Sequence, residues 1–269
     1  MTTLSDIVAA TRRKVGERHA QANMNQLEQD AAAHKPRGFR KALESAAKSG
    51  TAIIAELKKA SPSRGVIRKE FYPAALAGEL EQAGAAALSV LTDEEFFQGS
   101  LEYLKAASSE TKIPCLRKDF VVSEFQILEA RANCADAVLL IVAALSKQEL
   151  KLLAKRATEF ELDVLCEVHD ELELGSVLEI GSDLVGVNSR DLRTFQVDKT
   201  TPFRVAQMLP PGVLAVAESG IESGEDILRL RAAGYDGFLI GEKLMKAPSP
   251  GDALRTLLTD AASSASAGS

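Results

Sequence analysis

Short apolar segments recur along most of the chain, and each is followed by a stretch whose hydrophobic residues have helical spacing. Apolar runs of this length between amphipathic helices are typical of buried parallel strands. We predict eight strands: Ala52–Lys58, Ala86–Leu91, Ile113–Leu116, Ala137–Ile141, Asp163–Glu167, Leu184–Val187, Val213–Ala217 and Gly237–Ile240. The helices predicted between them are Ala74–Ala83, Leu101–Ser109, Glu124–Arg131, Lys147–Phe160, Glu171–Leu178, Pro202–Met208 and Glu225–Ala233.

Eight strand–helix units in about 220 residues match a (β/α)8 TIM barrel in number and in length. A doubly wound sheet is the competing fold, but no G-x-G-x-x-G pattern follows the first strand. The residues before that strand have helical spacing, and the last nine are only Ala, Ser and Gly. We therefore predict an N-terminal helical extension packed on the barrel (residues 1–48), a catalytic barrel (residues 49–260) and a disordered tail (residues 261–269).

The composition, 46% hydrophobic and 26% charged, is typical of a globular protein. No apolar run approaches the roughly 20 residues that span a bilayer, and the polar N-terminus is not a secretory signal, so we expect a cytoplasmic protein. The net charge of -6 argues against binding to nucleic acid or a membrane, since both attract an excess of Lys and Arg. Cys115, Cys134 and Cys166 lack metal-binding spacing, which favours buried free thiols.

The first strand ends in two opposite charges and breaks into a loop rich in Ser, Pro and Gly. Strand side chains alternate, so Glu56 and Lys58 share a face with Ile54, and the intervening apolar residues share the other. If the apolar face packs on helices, Glu56 and Lys58 face a cavity. This stretch alone is equally compatible with a structural ion pair and with a catalytic pair.

Most of the other strands also end in polar residues, and a TIM-barrel enzyme has its chemistry at those ends. Any one of them is more simply explained as a helix cap or a solvated charge, and we interpret Asp119, Asp191 and Asp226 as caps. The recurrence of Lys and Glu at one mouth nevertheless favours an active site. The polar strand ends are Arg117-Lys118-Asp119, Glu167, Asn188-Ser189-Arg190-Asp191, Glu218-Ser219-Gly220 and Gly241-Glu242-Lys243.

Two further patterns at the strand ends suggest what the cavity binds. Ser219-Gly220 and Gly241-Glu242 are small turns that open helices, where backbone N–H groups and helix dipoles favour a phosphate. The ends of the second and fourth strands, Leu91-Thr92-Asp93 and Leu140-Ile141-Val142, offer apolar surface for a ring.

With these residues assembled, the chain resembles the indole-3-glycerol phosphate synthase family. The resemblance covers nearly everything from Asp6 to Leu257 and rests on eight ordered segments. They are Ile53–Gly65, Leu91–Leu104, Pro114–Arg131, Ala135–Ile141, Leu165–Leu174, Gly186–Phe195, Ala217–Ile221 and Phe238–Met245.

The resemblance implies a carbon–carbon lyase of tryptophan biosynthesis that needs no cofactor or metal. Its substrate would be an anionic phosphosugar, 1-(2-carboxyphenylamino)-1-deoxyribulose 5-phosphate, and its product indole-3-glycerol phosphate. It implies Lys118 as the acid, Glu167 as the base and Lys58 as a second acid or carboxylate partner. It implies that Glu56 holds Lys58 and that Glu218 and Asn188 support catalysis. The residues that it implies for binding are Ser61, Arg190, Ser219, Gly220, Gly241 and Glu242, the last through its backbone N–H. It also implies a monomer.

Three alternatives remain open at this point. A Schiff-base lyase could use Lys58 or Lys118 as a nucleophile, and a barrel that binds phosphosugars could have lost the chemistry. A metal enzyme is disfavoured because the three histidines are scattered, and the one nearest the mouth, His169, is more simply a loop or surface residue. We also expect the loop Lys59–Phe71 to close over substrate.

Overall fold

Eight parallel strands close into a barrel in the order β1-β8-β7-β6-β5-β4-β3-β2, which confirms the predicted TIM-barrel fold. The computed structural model describes residues 3–191 and 196–266, so residues 192–195 of the segment Gly186–Phe195 lie outside the described residues. The strands are β1 Ala52–Leu57, β2 Ala87–Leu91, β3 Cys115–Lys118, β4 Ala137–Ile141, β5 Asp163–Val168, β6 Leu184–Asn188, β7 Leu214–Glu218 and β8 Gly237–Ile240.

Helices precede the barrel and alternate with its strands. Before β1 come α1 Leu4–Gln21, α2 Met24–Ala33 and α3 Phe39–Ser49. The others are α4 Pro73–Gln82, α5 Glu94–Phe97, α6 Leu101–Glu110, α7 Glu124–Ala132, α8 Lys147–Glu159, α9 Glu171–Glu179, α10 Thr201–Ala206, α11 Gly224–Ala232, α12 Glu242–Lys246 and α13 Pro250–Ser266. Every predicted strand and helix of the barrel is present, with its ends within two residues of the prediction. A hairpin pairing Ala60–Ser61 with Gly65–Val66, and helices α5, α12 and α13, were not predicted.

The alternation of side chains along the strands separates two apolar layers. Ile53, Ala55 and Leu57 belong to the core between the barrel and its helices. Ile54 instead belongs to the core inside the barrel, together with residues such as Leu165. Successive strand residues point to opposite faces. Glu56, two residues after Ile54, therefore points to the interior, as the sequence predicted.

The helices before β1 contact both ends of the barrel. Phe39 and Leu43 of α3 are fully buried in the interior core, and the backbone N–H of Arg40 donates to Asp163 at the start of β5 (2.9 Å). At the other end, Arg12 of α1 pairs with Glu149 (2.8 Å), in the first turn of the helix that follows β4. The division between an extension at 1–48 and a barrel at 49–260 stays a prediction.

Asp136, immediately before β4, ties the extension to the barrel floor. Its fully buried carboxylate accepts hydrogen bonds from the backbone N–H of Arg37 (2.7 Å) and of Cys115 (2.6 Å) and from the Arg37 guanidinium (2.5 Å). His34 Nε2 lies 3.3 Å from the same carboxylate. Burial would raise the pKa of Asp136, but the cationic partners His34 and Arg37 hold it below its usual value.

The prediction of a disordered tail from residue 261 is wrong as far as residue 266. Helix α13 continues to Ser266, and Ala261 is buried in the outer core. The cause is the packing of α13 on α11, where Gly224 has no side chain and lets the backbone of Ala261 approach closely. Residues 267–269 of the predicted tail lie outside the described residues.

The three cysteines differ in burial. All three cysteines are free, but only Cys115 and Cys166 are buried, because Cys134 is half-exposed in a turn at φ +64°. Within the described residues, no helix is long and apolar enough to cross a membrane.

Candidate active site

A cavity of about 410 Å³ opens at the carboxyl ends of the strands. All twelve residues to which the family resemblance assigns a catalytic or binding role line this cavity, although they come from widely separated segments. They are Glu56, Lys58, Ser61, Lys118, Glu167, Asn188, Arg190, Glu218, Ser219, Gly220, Gly241 and Glu242.

A lysine and two glutamates meet at the base of the cavity. Lys118 Nζ lies 2.8 Å from Glu167 Oε2 and 3.5 Å from Glu218 Oε2. These residues end β3, β5 and β7 or lie next to their ends, and alternate strands of a TIM barrel supply one layer of interior side chains. The arrangement therefore follows from strand position and side-chain alternation alone.

Burial and the attraction between opposite charges shift the pKa values of Lys118, Glu167 and Glu218 in different directions. Burial disfavours the ammonium ion of Lys118, but the carboxylates of Glu167 and Glu218 outweigh it and raise its pKa above the usual value. Burial would raise the pKa of Glu167, yet Lys118 and His169 lower it well below the usual value. For Glu218 burial prevails, and the neighbouring charge of Glu167 adds to it, so its pKa is raised. These shifts favour a cationic Lys118 and an ionised Glu167, and they make Glu218 the more readily protonated of the two glutamates.

Glu56 and Lys58 form a second ion pair, with Lys58 Nζ 2.6 Å from Glu56 Oε2. Two glycines make room for the carboxylates of the site. A Cβ atom built on Gly241 would fall well within 3.0 Å of the Glu56 carboxylate, and one built on Gly186 would do the same to Glu218 Oε1. Only a residue without a side chain fits at either position while these carboxylates keep their places.

The loops after β6, β7 and β8 form the outer, more polar part of the cavity. Ser219 and Gly220 are both in the left-handed region, at φ +65° and +73°. For serine this conformation is strained, and such strain is concentrated at functional sites. Lys199 also lines the cavity here; the sequence did not indicate it, since it lies outside any strand end.

Glu242 carries a carboxylate into this cationic part of the mouth. It lies 3.1 Å from Arg64 Nε, 3.7 Å from an Arg190 nitrogen and 2.5 Å from Lys246 Nζ. Partial burial would raise its pKa, but Lys246 and Arg64 lower it overall. Glu242 therefore joins the first-strand loop to the start of α12.

One wall of the cavity is apolar. Leu91 and Ile141, from the two strand ends that the sequence suggested for a ring, lie on it. Leu140 and Val142 of the same prediction pack instead in the outer core. Phe97 and Phe120 also line the cavity and were missed. Both follow strand ends within segments already noted, Leu91–Leu104 and Pro114–Arg131, so their place in the topology was a usable signal.

Two polar side chains of the first loop and of β6 complete the lining. Ser61 Oγ is buried and has no hydrogen-bond partner among the described residues, which leaves it available to a ligand. Asn188 is mostly buried and accepts the backbone N–H of Arg190 through Oδ1 (3.0 Å).

The interpretation of Asp119 as a helix cap is wrong. Its carboxylate accepts hydrogen bonds from Thr92 (2.7 Å) and from the buried guanidinium of Arg117 (2.8 Å), while Ser123 caps α7 instead. Asp226 does take part in a cap, because its carboxylate accepts the backbone N–H of Ser223, the N-cap of α11.

His169 lies in the loop between β5 and α9, as one of the two predicted placements had it, but it is not at the surface. Its side chain is only 12% exposed and stands behind Glu167, with Nε2 3.3 Å from Glu167 Oε1. No sequence motif marked it, because the contact depends on the turn between β5 and α9. Among the described residues, no group of three or more His, Cys, Asp or Glu side chains is placed to hold a metal ion.

Comparison with known proteins identifies the family. The family model described as indole-3-glycerol phosphate synthase matches residues 4–257. The indole-3-glycerol phosphate synthase of Koribacter versatilis is 56% identical over 96% of this chain and 99% of its own length. That of Acinetobacter baylyi is 45% identical over 95% of both chains.

Solved structures with little sequence identity share the fold alone. Thiamine phosphate pyrophosphorylase from Pyrococcus furiosus gives a TM-score of 0.60 at 15% identity, over 81% of this chain and 98% of its own. Orotidine 5'-phosphate decarboxylase from Pyrococcus horikoshii gives 0.59 at 12% identity, over 77% of this chain and 98% of its own.

Proposed function

The chain belongs to the indole-3-glycerol phosphate synthase family of decarboxylating lyases in tryptophan biosynthesis, and we propose that it converts 1-(2-carboxyphenylamino)-1-deoxyribulose 5-phosphate to indole-3-glycerol phosphate, carbon dioxide and water. One observation carries the proposal. The mostly buried Lys118 ammonium lies 2.8 Å from the Glu167 carboxylate, in a cavity that also offers an apolar wall and a cationic mouth. This set of groups matches a substrate with an aromatic ring, a carboxylate and a phosphate.

Lys118 acts in ring closure. The ring carbon that carries the carboxylate attacks the ribulose carbonyl, and negative charge develops on the carbonyl oxygen. The surrounding carboxylates keep Lys118 protonated, so it first polarises that oxygen and then donates a proton to the more basic alkoxide. A new carbon–carbon bond and a hydroxyl group result.

Glu167 and Lys58 act in the steps that follow. Carbon dioxide leaves from the former carboxylate position, and its bonding electrons restore the aromatic ring. Lys58 protonates the new hydroxyl group, which departs as water, and ionised Glu167 removes a proton from the new five-membered ring. Glu56, 2.6 Å from Lys58, holds this lysine at the cavity wall.

The remaining lining residues place the substrate. The phosphate binds the turns at Ser219-Gly220 and Gly241-Glu242, with the Glu242 contribution from its backbone N–H, and Arg190 faces the anion. The aromatic ring lies on the apolar wall. Asn188 and Ser61 hydrogen-bond the sugar chain, and Glu218, whose pKa is raised by burial, hydrogen-bonds a sugar hydroxyl.

Indole fluorescence tests the reaction directly. The chain has no Trp and only three Tyr, so product emission rises over a weak background when substrate is added without metal or cofactor. We expect Lys118→Ala and Glu167→Gln each to lower kcat by roughly 10²–10⁴-fold while inorganic phosphate still binds. Lys105→Ala and Glu225→Gln, exposed residues of α6 and α11, are the matched controls. Turnover within a few-fold of the parent in both site variants would contradict the assignment and favour a barrel that only binds.

Trapping with borohydride separates this mechanism from a Schiff-base lyase. A Schiff base requires a neutral amine, whereas the neighbouring carboxylates raise the pKa of Lys118. We expect no covalent adduct with a ketose phosphate, and an adduct on Lys118 or Lys58 would count against acid–base catalysis. A monomeric state and a cytoplasmic location remain predictions.

A further inference from the structure

A line of alternating charges continues behind Glu167, away from the cavity. His169 Nε2 lies 3.3 Å from Glu167 Oε1, on the carboxylate oxygen that Lys118 does not contact. On the far side of the ring, His169 Nδ1 lies 3.0 Å from Glu173 Oε2. Glu173 belongs to the first turn of α9, so the line joins a strand end, a turn and a helix.

The turn fixes this geometry. Glu173 Oε2 also accepts the backbone N–H of His169 (2.7 Å), and the backbone N–H of Glu173 donates to Asp170, the N-cap of α9 (2.9 Å). The cap fixes the conformation of the first helical turn, and Glu173 within that turn fixes the orientation of the imidazole ring. The ring is mostly buried, so it has little freedom to leave this position.

The ring is cationic because a carboxylate stands on each side. Burial disfavours the imidazolium, but Glu167 and Glu173 raise the pKa of His169 to about 10. Nε2 is buried and has no partner in hydrogen-bond geometry among the described residues, so its attraction to Glu167 is that of opposite charges. Other charges on or near α9 pair elsewhere, Glu171 with Arg204 (3.1 Å) and Glu179 with Lys147 (3.0 Å).

We infer that His169 is a positioning residue, which holds the second oxygen of Glu167, keeps that carboxylate aimed at Lys118 and is itself anchored by Glu173. The inference rests on the proposed function for the role of Glu167 as a base. When Lys118 gives its proton to substrate, Glu167 loses one cationic neighbour. His169 remains as the other, so Glu167 stays ionised until the later step in which it removes a proton.

The ionisation of His169 is measured without substrate. Imidazole resonances of the three histidines are followed against pH by NMR, and His169→Gln identifies the signal that disappears. We expect His169 to remain protonated beyond pH 8 and its pKa to fall by at least one unit in Glu173→Gln. Titration of His169 near the ordinary 6.5, unchanged in Glu173→Gln, would overturn the inference. This result does not depend on which reaction the protein catalyses.

Kinetics then separate positioning from simple stabilisation. We expect His169→Gln to lower kcat roughly 10–100-fold with KM within about threefold, and the acid limb of its pH profile to move to higher pH because Glu167 loses a cation. Glu173→Gln leaves the His169 ring in place and still offers it a carbonyl acceptor, so we expect a smaller fall in kcat and a smaller shift of the acid limb. Glu171→Gln removes the same charge from the same helical turn and retains parental kinetics.

Unchanged kcat and an unmoved acid limb in His169→Gln would overturn the inference. So would equal losses in His169→Gln and Glu171→Gln, because the effect would then belong to the turn and not to the ring. Absence of turnover in the parent protein would instead refute the proposed function and leave the NMR result standing.

Discussion

A single methyl group added to β6 should displace a carboxyl group of the site without disturbing the barrel. Gly186 lies beside Glu218, and a Cβ atom built on it would come well within 3.0 Å of Glu218 Oε1. Leu165 Cδ1 is the next constraint, at 3.3 Å. Gly186 is not in the left-handed region, so alanine can adopt its backbone conformation, and the strain in Gly186→Ala falls on the carboxyl group.

The size of the effect follows from where Glu218 can move. It has to shift by about 1 Å, and misplacing a reacting or positioning group by that much costs on the order of 10²-fold in rate. Glu218 already lies 3.5 Å from Lys118 Nζ, so the shift changes the balance that holds Lys118 beside Glu167. Overpacking of this kind costs about 1–3 kcal/mol of stability, which leaves the barrel folded.

The assay is indole fluorescence under saturating substrate, with urea unfolding measured in parallel. Gly175→Ala in α9 is the control, because no atom lies within 4 Å of its added Cβ. A helical alanine there should stabilise the protein by about 0.5–1 kcal/mol and leave kcat unchanged. If Gly186→Ala retained kcat within about twofold of the parent, the position of Glu218 would not matter to catalysis, and the reasoning would fail.

Three further predictions concern the floor and the mouth of the barrel. Asp136→Asn leaves the Arg37 guanidinium without its buried carboxylate partner, so the unfolding free energy measured in urea should fall by about 3–5 kcal/mol. We expect kcat per folded molecule to stay unchanged, and a loss of stability below about 1 kcal/mol would contradict the prediction. Asp136 and Cys134 raise the pKa of His34 to about 9, above its ordinary 6.5, so its stabilisation is complete below pH 6.5 and is lost as pH rises through 9. Unfolding free energy should therefore fall by at most about 3 kcal/mol over that window relative to His34→Gln, and parallel pH profiles for the two proteins would refute the assignment. Glu242→Gln removes an anion from the loops proposed to bind phosphate and releases Arg64, so inorganic phosphate should inhibit at roughly threefold lower concentration. Weaker inhibition would mean that Glu242 organises the site instead.

The sequence predicted the barrel because its signals are local and repeated. Each strand is a short apolar run, each helix has its own spacing, and the count of eight selects the fold. The position of Glu56, Lys118 and Glu167 at one mouth then follows from topology. The apolar wall at Leu91 and Ile141 could be predicted for the same reason.

What escaped prediction depends on side-chain contacts that hydrophobic spacing does not encode. Asp119 has the side chain of a helix cap, but the guanidinium of Arg117 on the same strand binds it instead. The Ala/Ser-rich C-terminus resembles a free tail, and only the missing side chain of Gly224 on another helix shows that Ala261 packs there. His169 becomes informative only when the turn places it between two carboxylates.

The packing at the end of the barrel opposite the cavity determines by which route ligands can enter and leave. Below the charged layer, the interior is filled by apolar side chains, and Phe39 and Leu43 of α3 are buried in the same core at the opposite end. Among the described residues, these side chains close the opposite end of the barrel, so the cavity has a single mouth, at the carboxyl ends of the strands. Under the proposed function, substrate and products would all pass this one mouth, which lies beside the first-strand hairpin and the Arg64–Glu242 pair. Under the proposed function, loss of the Arg64–Glu242 pair at this mouth should therefore alter substrate entry and product release together.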